Sequence, residues 1–80
     1  MEIKILGSGC PNCKRLEALT RQVVEELGVE ATLGHVREMS EIMTYDVFMT
    51  PALVIDEKVM ASGRIPRKDE IRTWIQEAQA

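Results

Sequence analysis

The sequence predicts an α/β fold with the element order β-α-β-α-β-β-α. Segments of strand length that are rich in β-branched residues alternate with segments whose apolar residues recur at helical spacing. Strand, helix and strand follow one another within the first 36 residues, which favours a right-handed parallel crossover. The chain has 80 residues, the size of one small domain, so we expect a single domain over residues 1–80.

The first strand is predicted over Glu2–Leu6, and Lys4 in its middle would need its stem to lie along the sheet for its amine to reach water. A long helix is predicted from Pro11, a residue that suits the first helical position, and Gly28 provides its C-terminal stop. The apolar residues of this helix recur at helical spacing and would form one face: Leu16, Leu19, Val23, Val24 and Leu27.

The middle of the chain has weaker patterns. Residues Val29–Val36 alternate loosely around Gly34, which is typical of an edge strand. His35 is the only histidine, and we favour a solvent-facing residue at a strand end over a catalytic one. A short helix is predicted over residues 38–46, and its inward face would consist of Met39, Ile42 and Met43.

The third strand is predicted after Pro51, within Met49–Ile55. A proline cannot donate to a sheet ladder, so its place at the start of a strand is informative. The Thr50–Pro51 bond is also of the kind in which a cis peptide is energetically accessible.

A hairpin turn at Asp56–Lys58 leads to a fourth strand over residues 59–61, although the glycine that such turns favour is absent. Ser62-Gly63 ends that strand, and Pro66 opens the last helix. The apolar face of that helix would consist of Ile71, Trp74, Ile75 and Ala78, with Trp74 as a core anchor.

Both cysteines lie in Gly7-Ser8-Gly9-Cys10-Pro11-Asn12-Cys13, where the first strand gives way to the helix. Residues three apart in a helical turn lie roughly 5–6 Å apart, within the Cα separation of about 4.4–6.8 Å that a disulfide tolerates. Cys10 and Cys13 could therefore bridge or open with little backbone movement. A helix N-terminus also favours a thiolate over a thiol. Lys14 and Arg15 follow where the helix dipole disfavours cations, so we predict that they stabilise a Cys10 thiolate.

Three other interpretations compete with a redox pair. Inert buried thiols are disfavoured by a C-x-x-C with a proline at a helix start. Structural zinc needs four ligands, and the chain otherwise offers only His35 and carboxylates, so a metal would have to bridge two subunits. Gly7-Ser8-Gly9 begins like a dinucleotide fingerprint but does not continue as one. We expect no metal site and no cofactor.

The composition excludes several function classes. A net charge of −3 and the absence of a basic stripe give no reason to expect nucleic acid as a partner. No charged-then-apolar leader and no apolar run of membrane-spanning length occur, so we expect a cytoplasmic protein that does not enter a membrane. In that compartment a cysteine pair is more often catalytic or metal-binding than structural.

Taken together, the chain resembles the thioredoxin-like superfamily, and more closely the small glutaredoxin-sized redox-active disulfide proteins of archaea and bacteria. The resemblance covers nearly all 80 residues and is carried by Gly9–Cys13, Met49–Ile55 and Ser62–Pro66. It implies a four-stranded mixed sheet in the order 2-1-3-4 with three flanking helices. The first and third helices would cover one face of the sheet, and the second helix the other.

The resemblance also implies a thiol–disulfide oxidoreductase that reduces protein disulfides. Cys10 would be the nucleophile and Cys13 the resolving thiol of a redox-active disulfide. Pro51 would be a cis proline packed against that disulfide, and Thr50 would offer backbone groups to an extended substrate. The residues that would support this substrate site are Gly9, Pro11, Asn12 and Gly63.

The implied partners are disulfide-containing proteins and, as electron donor, a thioredoxin-reductase-like flavoprotein or a thiol pool. We expect a monomer. Lys4 stands where thioredoxins carry a buried carboxylate, which leaves the proton acceptor for Cys13 unidentified. Ser62-Gly63-Arg64 replaces the stretch that holds glutathione in glutaredoxins, so glutathione is not an expected partner. The alternative function is a metal- or iron–sulfur-binding module, or a redox-sensing adaptor, that uses the same cysteines.

Overall fold

The structure is a computed structural model, and it describes residues 1–7, 9 and 11–79. The elements within this part of the chain follow the predicted order. They are β1 (Glu2–Leu6), α1 (Pro11–Leu27), β2 (Thr32–Val36), α2 (Met39–Met43), β3 (Ala52–Ile55), β4 (Lys58–Ser62) and α3 (Lys68–Gln79). In the described ranges, no helix combines the length and the apolar character that crossing a membrane requires.

The strands form one mixed sheet in the order β2-β1-β3-β4, which confirms the predicted order. β1 pairs in parallel with β2, so the β1-α1-β2 unit is the predicted parallel crossover. β1 pairs antiparallel with β3, and β3 antiparallel with β4. β1 is therefore central, and β2 lies at an edge as Gly34 indicates.

Side chains that alternate along the sheet divide the core into two layers, because successive residues of a strand point to opposite faces. The layer under α1 and α3 contains Ile3, Ile5, Leu16, Val23, Leu53, Ile55, Ile71 and Ile75. The layer under α2 contains Leu6, Ile42, Val47, Ala52 and Val54. The predicted division of the helices between the two faces is confirmed.

The apolar faces of the long helices are largely as predicted. Leu16 and Val23 of α1 are fully buried, and the other predicted residues of that face pack against them partly buried. In α3, Trp74 packs partly buried against the same layer. Ala78 is exposed, because it lies in the last turn, beyond the part of α3 that the sheet covers.

β2 begins at Thr32, three residues later than predicted, because Val29 belongs to the capping motif that follows α1. The Gly28 N–H donates to Glu25 O (3.2 Å) and the Val29 N–H donates to Val24 O (3.3 Å). With Gly28 at a φ of 64°, these bonds form the Schellman motif that ends many helices.

α3 begins at Lys68, after the predicted Pro66, because Arg67 acts as the N-cap. Its N–H donates to Oε1 of Glu70 (3.0 Å), which is one half of a capping box. Oε2 of Glu70 lies 3.0 Å from Nη2 of Arg64. The hydrogen bond from Arg64, and next the one from the Arg67 backbone, lower the pKa of Glu70 to about 2.

α2 is shorter than predicted, and only part of its predicted inward face is buried. Ile42 is 1% exposed, whereas Met39 is 62% and Met43 is 52% exposed. A helix of five residues presents little more than one position to the sheet, so the prediction for the two methionines is wrong. Residues 44–46 continue from it as tight turns.

The hairpin between β3 and β4 turns through Asp56 and Glu57, whose φ values of 47° and 68° are those of a type I′ turn. Both side chains bind back to β1. Asp56 Oδ1 accepts the Glu2 N–H (2.9 Å), and Glu57 Oε1 accepts Lys4 Nζ (2.7 Å). Lys4 Nζ also donates to the Tyr45 hydroxyl (2.8 Å). These hydrogen bonds, that to Glu57 first, raise the pKa of Lys4 above its ordinary value.

Candidate active site

The candidate site lies where β1 ends and α1 begins. The Gly7 N–H donates to Val36 O (2.9 Å), which continues the parallel ladder past the last residue of β1. Cys13 lies in the first turn of α1 and is fully buried. Cys10 and Ser8 lie outside the described residues, so the predicted pairing of Cys10 with Cys13 stays a prediction.

Gly7 packs directly against the buried cysteine. A Cβ atom on Gly7 would overlap the Sγ atom of Cys13 and would lie 3.7 Å from the Cβ atom of Thr50. The missing side chain thus allows α1 and the loop before β3 to meet at the end of β1. This role was not predicted, because Gly7 was recognised only as part of the cysteine-containing stretch and of an incomplete dinucleotide fingerprint. A glycine between a buried strand and a C-x-x-C was the available signal.

The loop before β3 brings three predicted site residues together. The Thr50–Pro51 peptide bond is cis, the isomer that the resemblance implies. Pro51 is buried and Thr50 is exposed. The carbonyl oxygen of Pro51 accepts the N–H of Gly63 (2.9 Å), and a Cβ on Gly63 would lie 3.0 Å from the Cβ of Met49. Thr50 therefore lies beside the contact between Gly7 and Cys13. Pro51 and Gly63 are connected to this place through Thr50 and through their backbone hydrogen bond.

The remaining predicted site residues lie at the solvent-exposed start of α1. Pro11 is the first helical residue, and it is exposed together with Asn12. Lys14 and Arg15 are exposed as well. Their predicted action on a Cys10 thiolate stays a prediction, since Cys10 lies outside the described residues.

Arg37 is a cation at this site that the sequence analysis missed. It directly follows β2, and a Cβ on Gly9 would lie 3.6 Å from its Nη1 atom. Its guanidinium group therefore lies against the backbone of the residue that precedes Cys10. The carboxyl ends of parallel strands meet at one edge of a sheet. A cation just after β2 was therefore the signal that could have identified it.

His35 is not the solvent-facing residue that was predicted. Its side chain is only 10% exposed, and its Nδ1 atom lies 4.0 Å from Oε2 of Glu17. Its Nε2 atom lies 3.1 Å from the carbonyl oxygen of Gly7. His35 pairs in register with Ile5, so its ring lies on the face of the sheet that α1 covers. The prediction failed because an edge strand can still be covered by a helix on one face.

The arrangement of His, Cys, Asp and Glu side chains in the described part of the chain bears on metal binding. Within residues 1–7, 9 and 11–79, no group of three or more His, Cys, Asp or Glu residues is placed to hold a metal ion. Cys10 is outside that range. The expectation of no metal, and the alternative of a metal-binding module, both stay predictions.

Comparisons with known proteins point in one direction. The family model described as "Thioredoxin domain" matches residues 1–76. A thioredoxin from Methanothermobacter thermautotrophicus is 38% identical over 72 residues, which are 90% of this chain and 94% of that protein. A thioredoxin from Methanocaldococcus jannaschii is 37% identical over 70 residues, 88% of this chain and 80% of that protein.

A solved structure shows the same likeness at the level of the fold. Thioredoxin 1 from the thermophilic eubacterium Thermosipho africanus aligns over 100% of both chains, with a TM-score of 0.57 and 15% sequence identity. At that identity the likeness supports the α/β fold and the mixed sheet, and it does not extend to the chemistry.

Proposed function

Because this chain belongs to the thioredoxin domain family and is a thiol–disulfide oxidoreductase, we propose that it reduces disulfides in other proteins through Cys10 and Cys13. The observation that carries the proposal is the packing at Gly7. One glycine lies against the Sγ atom of the buried Cys13 and beside Thr50. This packing supports a site that the second thiol of the C-x-x-C would share with the proposed substrate-binding loop.

The proposed reaction has two exchange steps. In the first, the Cys10 thiolate attacks one sulfur of the substrate disulfide, and a bond forms between Cys10 and the substrate while the other substrate sulfur leaves as a thiolate. In the second, Cys13 loses its proton and attacks Cys10, and the bond to the substrate breaks. The substrate gains two electrons and two protons, and the protein is left with a Cys10–Cys13 disulfide.

Two features support ionisation of the first cysteine. The N-terminus of α1, a helix of 17 residues, offers unsatisfied N–H groups to an anion in its first turn. The guanidinium group of Arg37 lies against Gly9, next to Cys10 in the chain. Both contributions favour a thiolate over a thiol at Cys10.

The division of roles between the cysteines follows from burial. Cys13 is fully buried in the first turn of α1, so a protein substrate cannot reach it before a bond to Cys10 has formed. We therefore assign the attack on the substrate to Cys10 and the resolution step to Cys13. This matches the order of the two steps above.

The substrate-binding surface would be the chain segment that leads into Pro51. Thr50 is exposed and can pair its backbone with an extended substrate segment. The preceding Phe48 and Met49 are 84% and 66% exposed, which is unusual for large apolar side chains. We propose that they contact apolar residues beside the substrate disulfide.

Return to the dithiol form requires an electron donor. We propose a thioredoxin-reductase-like flavoprotein or a thiol pool for this step, with the protein acting in the cytoplasm, where dithiols are kept reduced. Glutathione is not the donor that we propose, because Ser62-Gly63-Arg64 lacks the glutathione-holding pattern.

Removal of the resolving thiol should trap the mixed disulfide between Cys10 and a substrate protein. The Cys13→Ser variant cannot resolve the mixed disulfide, so it should accumulate a covalent complex with insulin through Cys10, visible on a non-reducing gel. The matched Cys10→Ser variant should form no such complex and should not reduce insulin. A Cys10→Ser variant as active as the unmodified protein would contradict the mechanism. The metal content of anaerobically purified protein tests the metal-binding alternative.

A further inference from the structure

One buried titratable side chain near the site has no part in the exchange steps described so far. The side chain of His35 is 10% exposed, and its Nε2 atom lies 3.1 Å from the carbonyl oxygen of Gly7. A carbonyl oxygen only accepts, so Nε2 must carry the hydrogen and donate. In the neutral ring this leaves the lone pair on Nδ1.

The Nδ1 atom faces a carboxylate. Among the described residues it is a buried nitrogen with no hydrogen-bond partner, and it lies 4.0 Å from Oε2 of Glu17. A lone pair directed at a carboxylate is unfavourable, whereas a second proton on the ring would convert the contact into an ion pair. The arrangement is thus suited to a positively charged ring that pairs with the Glu17 carboxylate.

Two other charged side chains lie near the His35–Glu17 pair or follow it closely in the chain. Arg21, one turn further along α1, lies 3.7 Å from Oε1 of Glu17 and is exposed. The residue opposite His35 on β1 is the apolar Ile5. Arg37, which follows β2 and comes two residues after His35, lies against Gly9. Glu17 is therefore the group from which the ring would gain a stabilising partner on protonation.

Gly7 connects this pair to the buried cysteine. The residue whose carbonyl oxygen contacts the His35 ring is also the one that packs against the Sγ atom of Cys13. Glu17 follows Cys13 by four residues on α1, a spacing that places both on one side of the helix. A positive charge on the His35 ring would therefore lie beside the residue that packs against Cys13. Because the ring is largely shielded from water, such a charge is weakly screened and favours the Cys13 thiolate.

We propose that His35, held by Glu17, is a positioning residue that promotes ionisation of Cys13 and so controls the rate of the resolution step. The inference rests on the proposed exchange mechanism and deepens it. Lys4 does not serve in this way, because its amine is bound by Glu57 and Tyr45. In the resolution step the proton from Cys13 ends on the departing substrate thiolate, and the Cys10–Cys13 bond forms as the Cys10–substrate bond breaks.

The experiment separates the two steps with 5,5′-dithiobis(2-nitrobenzoic acid) as the substrate. Each reduced protein should release one coloured thiolate when Cys10 attacks and a second when Cys13 resolves the mixed disulfide. Both phases are followed by stopped-flow absorbance from pH 5.5 to 8.5. The key variant is His35→Gln, whose side-chain amide can still donate to Gly7 but carries no charge.

At pH 5.5 the second phase of the unmodified protein should be roughly three- to tenfold faster than that of His35→Gln. The ratio should approach one at pH 8.5, and the first phase should change little. Glu17→Gln should reduce the advantage at low pH. Arg21→Gln, on the same face of α1, should leave it nearly unchanged.

Several results would overturn the inference. Parallel pH profiles of the second phase in the unmodified protein and in His35→Gln would do so. Equal slowing of both phases at every pH would indicate a merely structural role. If His35→Gln fails to fold, the same assay of Glu17→Gln decides the question. The Glu17 side chain is 31% exposed, so its replacement should leave the fold intact. An unchanged second phase at pH 5.5 in Glu17→Gln would overturn the inference. Release of only one coloured thiolate by the unmodified protein would instead refute the exchange mechanism itself.

Discussion

At the scale of single residues, the site depends on close contacts at positions without side chains. Gly7 lies against Cys13 and beside Thr50, and Gly9 lies against the guanidinium of Arg37. These contacts bring side chains of α1, of the segment after β2 and of the loop before β3 close to the backbone that connects β1 to α1. A methyl group at Gly7 would overlap the Sγ atom of Cys13, and one at Gly9 would lie against the guanidinium group of Arg37.

Replacing Gly7 with alanine should therefore displace Cys13, because the new Cβ would overlap its Sγ atom. We expect Gly7→Ala to lower the free energy of unfolding by about 1–3 kcal/mol and to slow insulin reduction. Urea unfolding and a turbidity assay measure the two effects. Gly34→Ala is the matched control, since its nearest contact would be Ile3 O at 4.0 Å. Equal effects of both variants would contradict the role assigned to Gly7.

The C-x-x-C and the Thr50-Pro51 pair could be recognised in the sequence, because each is a pattern of residues close together in the chain, and the family resemblance supplied their implied roles. Gly7, His35 and Arg37 were missed or misplaced for the opposite reason. His35 contacts the Gly7 carbonyl across 28 positions of sequence. Nothing in the sequence near His35 indicates that α1 covers its strand.

At the scale of elements, side-chain hydrogen bonds decide where helices begin and how turns close. Glu70 caps α3 through the Arg67 N–H and binds Arg64, which belongs to the loop that reaches the site at Gly63. Asp56 and Glu57 hold a turn that usually contains glycine by binding Glu2 and Lys4 of the central strand. The long elements were predictable from periodicity, whereas their ends depend on these contacts.

The Glu70 cap should make the stability of the protein depend on pH in acid. The pKa of Glu70 is about 2 in the folded state against an ordinary value of 4.5, so its ionised form stabilises the fold above pH 4.5. That contribution should be lost as the pH falls from about 4.5 towards 2. Glu70→Gln should therefore flatten the pH dependence of the urea midpoint over this range.

Asp69→Asn is the control for this prediction, because Asp69 lies in the same first turn of α3. It should change the acid dependence less than Glu70→Gln does. The same slope in all three proteins would show that the cap does not act through the charge of Glu70.

At the scale of the whole molecule, two apolar layers on a sheet with β1 at its centre place the site at one end of that strand. The turn residues Asp56 and Glu57 lie towards the other end, where they bind Glu2 and Lys4 of β1. The layer under α2 is thin, since Ile42 is the buried residue of that helix. Met39 and Met43 remain exposed beside it.

Alanine substitutions in α2 should distinguish its buried residue from its exposed residues by their effect on the free energy of unfolding. Ile42→Ala should lower the free energy of unfolding by about 2–5 kcal/mol, because it removes a fully buried side chain from a small core. Met39→Ala and Met43→Ala should each stay within about 0.5 kcal/mol of the unmodified protein. Chemical denaturation measures all three. If either methionine variant lost several kcal/mol of unfolding free energy, as about 2–5 kcal/mol is expected for Ile42→Ala, that methionine would be part of the core, as the sequence predicted.

The resemblance to a family implied the division of the helices between the two faces of the sheet, and the sequence by itself determined the order of the elements and the place of the C-x-x-C stretch after β1. Periodicity, β-branching, proline and glycine act through bonds between near neighbours, so these features can be recognised without the fold. Only the tertiary structure decided that His35 is buried against Gly7 and Glu17, that Arg37 lies against Gly9, and that two methionines of α2 face outward. Those outcomes depend on which surfaces the packing of distant segments covers.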